Sequence, residues 1–332
     1  MQKRRLGRDG PLTSAVGIGA MSFTDFYGAT TKEESLHILS AALDLGIDHI
    51  DTANVYGMGR SEDVIGEFLR GHKGECPFVI ATKASITRNK ETKERVFDNS
   101  RAHLEAELDI SLKRMGLEKV DLFYVHRRDQ SLPIEEVTES LASFVKAGKI
   151  GGFGFSEIAP YSLRRAAAVH PVGAVQSEYS LSVRTPEVGL TQACAEVGAA
   201  VVAFSPVGRG LLTDRPPSAE KAAGIDFLKN NPRFFGENLA ANLLEVKKFQ
   251  DLAADLGTTA ASLSIAWLLH QGDHVLPIPG TRSVAHLKEL AAGAGLNLSA
   301  EDLARIDQAL PIGWAHGDRY NAAQWVGPER YA

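Results

Sequence analysis

A chain of 332 residues that is 44% hydrophobic and 23% charged has enough apolar content for a large core, which excludes a disordered protein. Its formal net charge of -5 gives no electrostatic footprint for nucleic acid or an anionic membrane, and no apolar run reaches the length of a membrane span. Two isolated cysteines, Cys76 and Cys194, suit neither a disulfide framework nor a metal site, so a reducing, cytoplasmic setting and no metal are expected.

The chain begins with a hairpin signal, Gly7-Arg-Asp-Gly-Pro11, between short arms within residues 3–14. Residues 15–19 read as a first core strand. Thr31 and Glu34 form a capping box for a helix with Leu36, Leu39 and Leu43 on one face, and Gly46 ends it as a left-handed cap. A strand over residues 47–51 follows, with His49 outward and Ile50 inward, carrying Asp51 to its end and Tyr56 to the loop beyond.

The alternation continues with a helix at 61–70, a strand at 78–82 running into Lys83, and a helix at 98–115 with Leu104, Leu108 and Leu112 ahead of Gly116. Then come a strand at Val120–Val125, a helix at 133–147, a strand at 151–155, a helix at 160–169 and a strand at 174–176. A helix at 187–197 and the strand Ala200–Phe204 follow. A long loop at 205–238 and helices at 240–255 and 258–271 precede the last strand at 274–278.

Eight strands separated by helices require right-handed parallel crossovers, and they close most naturally into a (β/α)8 TIM barrel. The expected architecture is therefore one domain over residues 1–332, with an N-terminal β-hairpin and extra helices before the eighth strand and near the C-terminus. A doubly wound sheet would need a glycine fingerprint, and Gly17-Ile-Gly-Ala-Met-Ser22 lacks its third glycine. Trp267 reads as core, while Trp314 and Trp325 suit either a pocket wall or a seal on the barrel's side.

In such a barrel the C-terminal strand ends meet in space. That places Asp51 and Tyr56 after the second strand, Lys83 after the third and His126 after the fourth at one mouth. A phenol with a pKa of about 10 is a weak acid at neutral pH, and a nearby ammonium favours its ionised form. Lys83 can supply that charge, Asp51 can hold the lysine, and His126 can position a substrate oxygen. Taken singly, Asp51 reads as a cap and Tyr56 as packing, while His126 and Lys83 divide evenly between a structural and a functional role. Their convergence on adjacent strand ends favours catalysis.

Gly46–Gly57 with Thr82-Lys83 and Tyr124-Val-His126 resembles the aldo-keto reductase superfamily. The resemblance extends through Gly154-Phe-Ser156-Glu, Gln176-Ser-Glu-Tyr-Ser-Leu, Phe204-Ser-Pro-Val-Gly-Arg-Gly-Leu and Pro277-Ile-Pro-Gly-Thr-Arg, in the family's order and at strand ends. It implies the barrel and NADPH-dependent reduction of an aldehyde or ketone, with Tyr56 as general acid, Lys83 and Asp51 tuning it and His126 orienting the carbonyl. The partner implied is a small-molecule carbonyl substrate. By the same resemblance Ser156 and Gln176 hold the nicotinamide carboxamide and Phe204 stacks on the ring. The backbone through Ser205, Val207, Gly208, Arg209, Gly210 and Leu211 crosses the pyrophosphate, with Arg209 adding charge. Gly280, Thr281, Arg282 and His286 surround the adenosine 2′-phosphate, and Glu289 meets adenine.

The resemblance also implies departures here: similar enzymes usually carry Tyr or Trp at Phe204, many carry Asn at Glu157, and Arg at His286 and Asn at Leu290 are common. The alternative function is an NADPH-binding regulatory or partner subunit with slow residual reductase chemistry. Substrate selection is expected from residues 22–29, 127–132 and 311–332. The stretch 206–237 suits a clasp over the cofactor, or a rigid insertion packed by Phe227, Phe234 and Phe235.

Overall fold

In the computed structural model, which describes residues 1–89 and 91–331, the glycine-proline turn pairs β1 (Lys3–Arg5) with β2 (Leu12–Ser14) in an antiparallel hairpin. The hairpin sends Leu6 into the foot of the main sheet, and Arg4 donates to the carbonyls of Leu269, Gly272 and Val275.

The main sheet holds eight parallel strands. In chain order they are β3 (Ile18–Gly19), β4 (His49–Asp51), β5 (Val79–Ala84), β8 (Val120–Val125), β9 (Ile150–Ser156), β10 (Ala174–Glu178), β11 (Ala200–Phe204) and β12 (Val275–Pro277). A second hairpin, β6 (Ile86–Arg88) with β7 (Arg95–Phe97), is inserted after β5. Hydrogen bonds of 2.9 Å from Gly17 N to Pro277 O and from Gly19 N to Pro279 O join the first strand to the last. The sheet closes into the expected barrel.

Most residues of these strands are apolar or small because both faces of the sheet are buried, and the polar exceptions, such as Asp51, Lys83 and Gln176, gather towards the C-terminal ends. Along β8, Phe123 and Val125 face the helices, while Leu122 and Tyr124 fill the barrel. The same alternation corrects the expectation for His49. Its side chain is fully buried, with Nδ1 3.1 Å from Val79 O, whereas Ile50 joins the outer, helix-facing core. Burial holds its imidazole below the ordinary value against the opposing pull of Asp51.

The surrounding α-helices include α1 (Lys32–Asp44), α2 (Arg60–Gly71), α3 (Arg101–Met115), α4 (Ile134–Lys146), α5 (Pro160–Val169) and α6 (Leu190–Val197). The predicted capping box opens α1: Glu34 N donates to Thr31 Oγ1 at 3.1 Å and Thr31 N to Glu34 Oε2 at 2.8 Å.

Residues 205–238, expected as a long loop, contain the short helices α7 (Ala219–Ala223) and α8 (Asp226–Lys229). Prolines and glycines keep them short, but Leu228 and Phe234 anchor them in the core. Phe227 crosses the barrel mouth to meet Phe26, with ring centroids 4.8 Å apart, and Tyr27 at 6.0 Å. Phe235 stays exposed. The chain continues through α9 (Gly236–Asp255) and the wholly buried α10 (Ala260–Leu269), which carries the expected core residue Trp267. After β12 come α11 (Val284–Ala292) and α12 (Ala300–Ala309). Among the described residues no single helix is long and apolar enough to cross a membrane. In the tail Trp314 is buried and donates to Leu181 O at 2.8 Å, whereas Trp325 is half-buried near the mouth.

Candidate active site

Parallel register places Asp51 opposite Ala81, two residues before Lys83 on the neighbouring strand. Both side chains then point into the barrel at its C-terminal end. Lys83 is fully buried, and its ammonium donates to the Asp51 carboxylate, to Thr52 O at 2.7 Å and to Tyr56 Oη at 3.3 Å. All three of its protons are used. Burial alone would push the ammonium down, but the Asp51 charge and the Tyr56 phenol outweigh it and hold Lys83 above its ordinary value. The second Asp51 oxygen accepts from Gln176 Nε2 at 2.7 Å.

Tyr56 sits on the turn after β4, where Met58 takes a left-handed backbone at φ 59°. Such strain in a non-glycine residue is tolerated where the fold dictates it. The phenol ring stands edge-on to His126, with centroids 5.7 Å apart. His126 follows β8 and its backbone N donates to Ala84 O at 2.8 Å. Burial, then the charges of Arg127, Lys83 and Arg95, push its imidazole well below the ordinary value, so it is neutral at pH 7. Its Nδ1 is buried without a partner among the described residues. The four predicted side chains are in one place.

They line or underlie one end of a cavity of about 1150 Å³ that runs past Ser156, Gln176 and Phe204 to Gly280, Arg282 and His286. Ser156 Oγ accepts from Arg127 Nη1 at 2.9 Å. Beyond Phe204 the wall is formed by Ser205, Val207, Arg209 and Gly210, with Ser205 at φ 51° and Arg209 at φ 59°. Gly208 lies behind this wall, also left-handed, where a Cβ would meet Ser182 Oγ at 3.0 Å. Leu211 sends its side chain into the outer core.

Arg209 lines the same wall but turns its guanidinium to partners within the protein. Its side chain is 2% exposed and its guanidinium is committed to Glu178 Oε2 and Arg319 O, both at 2.6 Å, so its charge is already neutralised. Arg319, from the tail, pairs in turn with Glu157 and Glu178 and lies between the rings of Tyr320 and Trp325, 4.8 Å from each. Glu157 is thus a partner for the tail. These pairs link the ends of β9 and β10, the segment after β11 and the tail.

At the far end Gly280 packs against β3 so closely that a Cβ would meet Gly19 O at 2.8 Å. Thr281 Oγ1 accepts from Ser283 N at 3.1 Å, and Ser283 caps α11. The first turn of α11 reaches the cavity at Ser283 and His286. Arg282 Nη1 donates to Ala29 O at 2.8 Å, spanning to the loop after β3. His286 is exposed beside it, and Glu289 lines the wall. A helix N-terminus with an adjacent guanidinium is a chemical match for a dianionic phosphate.

Sequence reasoning did not single out Arg127, Arg95 or Arg88, which also line the cavity near His126. Arg88 and Arg95 ride on the second hairpin, whose three-residue strands give too short an alternation to register as strands. Arg127 was visible only as a member of a candidate substrate loop.

A family model described as the Aldo/keto reductase family matches residues 15–311. The chain is 38% identical over 320 residues to the Schizosaccharomyces pombe protein named aldo-keto reductase yakc, NADP(+), covering 96% of this chain and 94% of that one. It is 36% identical over 321 residues to a Glycine max protein named probable aldo-keto reductase 1, covering 96% and 92%. Among solved structures, a glycerol dehydrogenase from Gluconobacter oxydans superposes with a TM-score of 0.81 at 27% identity, covering 93% of this chain and 94% of that one. An aldo-keto reductase from Bacillus halodurans, at 24% identity and TM-score 0.77, shares the fold over 98% and 99% of the two chains.

Proposed function

The chain belongs to the aldo/keto reductase family, and from that premise we propose that it reduces an aldehyde or ketone to the alcohol with NADPH. The observation that carries the reading is the buried Asp51–Lys83 pair in contact with Tyr56 beside a neutral His126. The NADP(+) in the yeast relative's name supports the cofactor.

The cavity suits a dinucleotide with a 2′-phosphate. Gly280, Thr281, Arg282 and His286 at the N-terminus of α11 hold the phosphate, and Glu289 meets adenine. The backbone of Ser205, Val207 and Gly210 tracks the pyrophosphate, while Phe204, Ser156 and Gln176 receive the nicotinamide end. When bound, NADPH supplies a hydride to the carbonyl carbon. Tyr56 Oη donates its proton to the carbonyl oxygen as charge builds there. Lys83 stabilises the phenolate left behind, and Asp51 keeps Lys83 charged and aimed. His126 donates a hydrogen bond from its cavity-side Nε2 to the same oxygen and fixes its orientation. Oxidation of an alcohol uses the groups in reverse.

The test is NADPH oxidation across aromatic, aliphatic, sugar and dicarbonyl substrates, by wild type and by Arg282→Ala. Turnover of at least one class is expected. Arg282→Ala should weaken NADPH by roughly tenfold or more while leaving NADH nearly unaffected, because only NADPH carries the contacted phosphate. Equal losses for both cofactors would remove Arg282 from the 2′-phosphate site.

A further inference from the structure

The catalytic end of the cavity carries cationic charge that the reductase chemistry does not use. Arg127 is only 9% exposed, and its backbone is fixed by Ser85 and Asn99: its N donates to Ser85 Oγ at 2.9 Å, and its O accepts from Asn99 Nδ2 at 3.0 Å. Its Nη1 donates to His126 O at 2.6 Å and to Ser156 Oγ at 2.9 Å. Among the described residues, Nε and Nη2 make no hydrogen bond, and no carboxylate lies within ion-pair distance.

The other buried arginines are treated differently. Arg128 pairs with Glu329, Arg209 with Glu178 and Arg319 with Glu157. A buried guanidinium without a carboxylate is costly unless a ligand supplies the charge. Arg95, on the second hairpin, also lines the cavity and forms no ion pair among the described residues. Partial burial and the facing Arg127 hold it below its ordinary value. Arg88 adds a third cation to the same wall. The acids near this end are already committed, Asp51 to Lys83 and Gln176, and Glu157, which also feels the charge of Arg127, to Arg319.

We propose that the substrate carries an anionic group, carboxylate or phosphate, besides its carbonyl, and that Arg127 and Arg95 receive it. The proposal rests on the reductase reading for the carbonyl, and on the unpaired guanidinium groups for the anion. Arg127 is well placed for this because it adjoins His126 in the chain, so one rigid strand end orients both functional groups of the substrate. Its planar fork suits bidentate contact with either oxyanion. The cofactor's own 2′-phosphate site lies at the opposite end of the cavity, on α11.

The experiment compares substrate pairs that differ in charge: 4-carboxybenzaldehyde with 4-methylbenzaldehyde, and glyceraldehyde 3-phosphate with glyceraldehyde. Wild type, Arg127→Gln, Arg127→Lys and Arg95→Gln are assayed with NADPH. Binding of benzoate and of benzamide is titrated calorimetrically in parallel. The expected kcat/KM favours the anionic member of at least one pair by roughly ten- to hundredfold, mainly through KM, as charge-assisted contacts imply. The pair with the larger ratio identifies carboxylate or phosphate.

That ratio should collapse in Arg127→Gln and fall in Arg95→Gln, with Arg127→Lys retaining part of it. Benzoate should bind more tightly than benzamide and lose that advantage in the Gln variants. Reduction of both members with equal kcat/KM would overturn the anion site and leave the reductase reading standing. Arginine-dependent benzoate binding with no aldehyde reduced would do the reverse. Arg95→Gln lies on an exposed hairpin and carries the test even where Arg127→Gln does not fold.

Discussion

Tyr56→Phe is expected to lower carbonyl turnover by about 10²- to 10⁴-fold, the usual span for losing a positioned general acid, with little change in NADPH affinity. The substitution removes the hydroxyl 3.3 Å from Lys83 Nζ but keeps the ring that stands against His126. Tyr56 is half-buried on a turn, so losing its hydroxyl leaves the packing of the barrel intact. His126 is poorly suited to take over, since burial and three neighbouring cations keep it from holding an imidazolium proton at pH 7. Turnover and cofactor binding are measured together. Near-normal turnover would reassign the acid to His126, and lost cofactor binding would make Tyr56 structural.

Lys83→Met should show two separable effects. Turnover should fall by about 10²- to 10³-fold, because the charge facing the developing phenolate is gone. Stability should fall by about 3–5 kcal/mol, the usual consequence of leaving one member of a buried ion pair without its partner. Asp51 is 2% exposed and would retain only Gln176 as a donor. Adding Asp51→Asn removes the stranded carboxylate, so the double variant should recover much of the stability and none of the rate. Urea unfolding and steady-state turnover on both variants check this. Recovery of rate along with stability would show that the pair serves the fold alone.

The barrel and its four converging side chains were legible because each depends on short-range pattern. Gly46 stops α1, a few apolar residues make β4, and Asp51 must emerge at that strand's end. Chain order then does the rest, since consecutive parallel strands lie side by side. What stayed hidden depends on distance or on a face. Alternation alone points His49 outward, but a closed barrel buries both faces of a strand, so alternation separates core from core. Glu157 and Arg319 are 162 positions apart, and no local spacing reveals that they pair. The same pairing explains Arg209, whose sequence context suggested phosphate and whose charge goes to Glu178. The Arg88 and Arg95 hairpin was missed because its strands are three residues each, beneath the reach of a periodicity argument.

The most direct measurement of the central claim is deuteride transfer. NADPH deuterated at the transferable C4 position is incubated with the protein and the aldehyde it reduces fastest, and the product is analysed by mass spectrometry. One deuterium on the carbinol carbon, formed in step with NADPH consumption and slowed by about 10²- to 10⁴-fold in Tyr56→Phe, is the expected result. Cofactor binding with no deuterated alcohol from any aldehyde or ketone tested would contradict it.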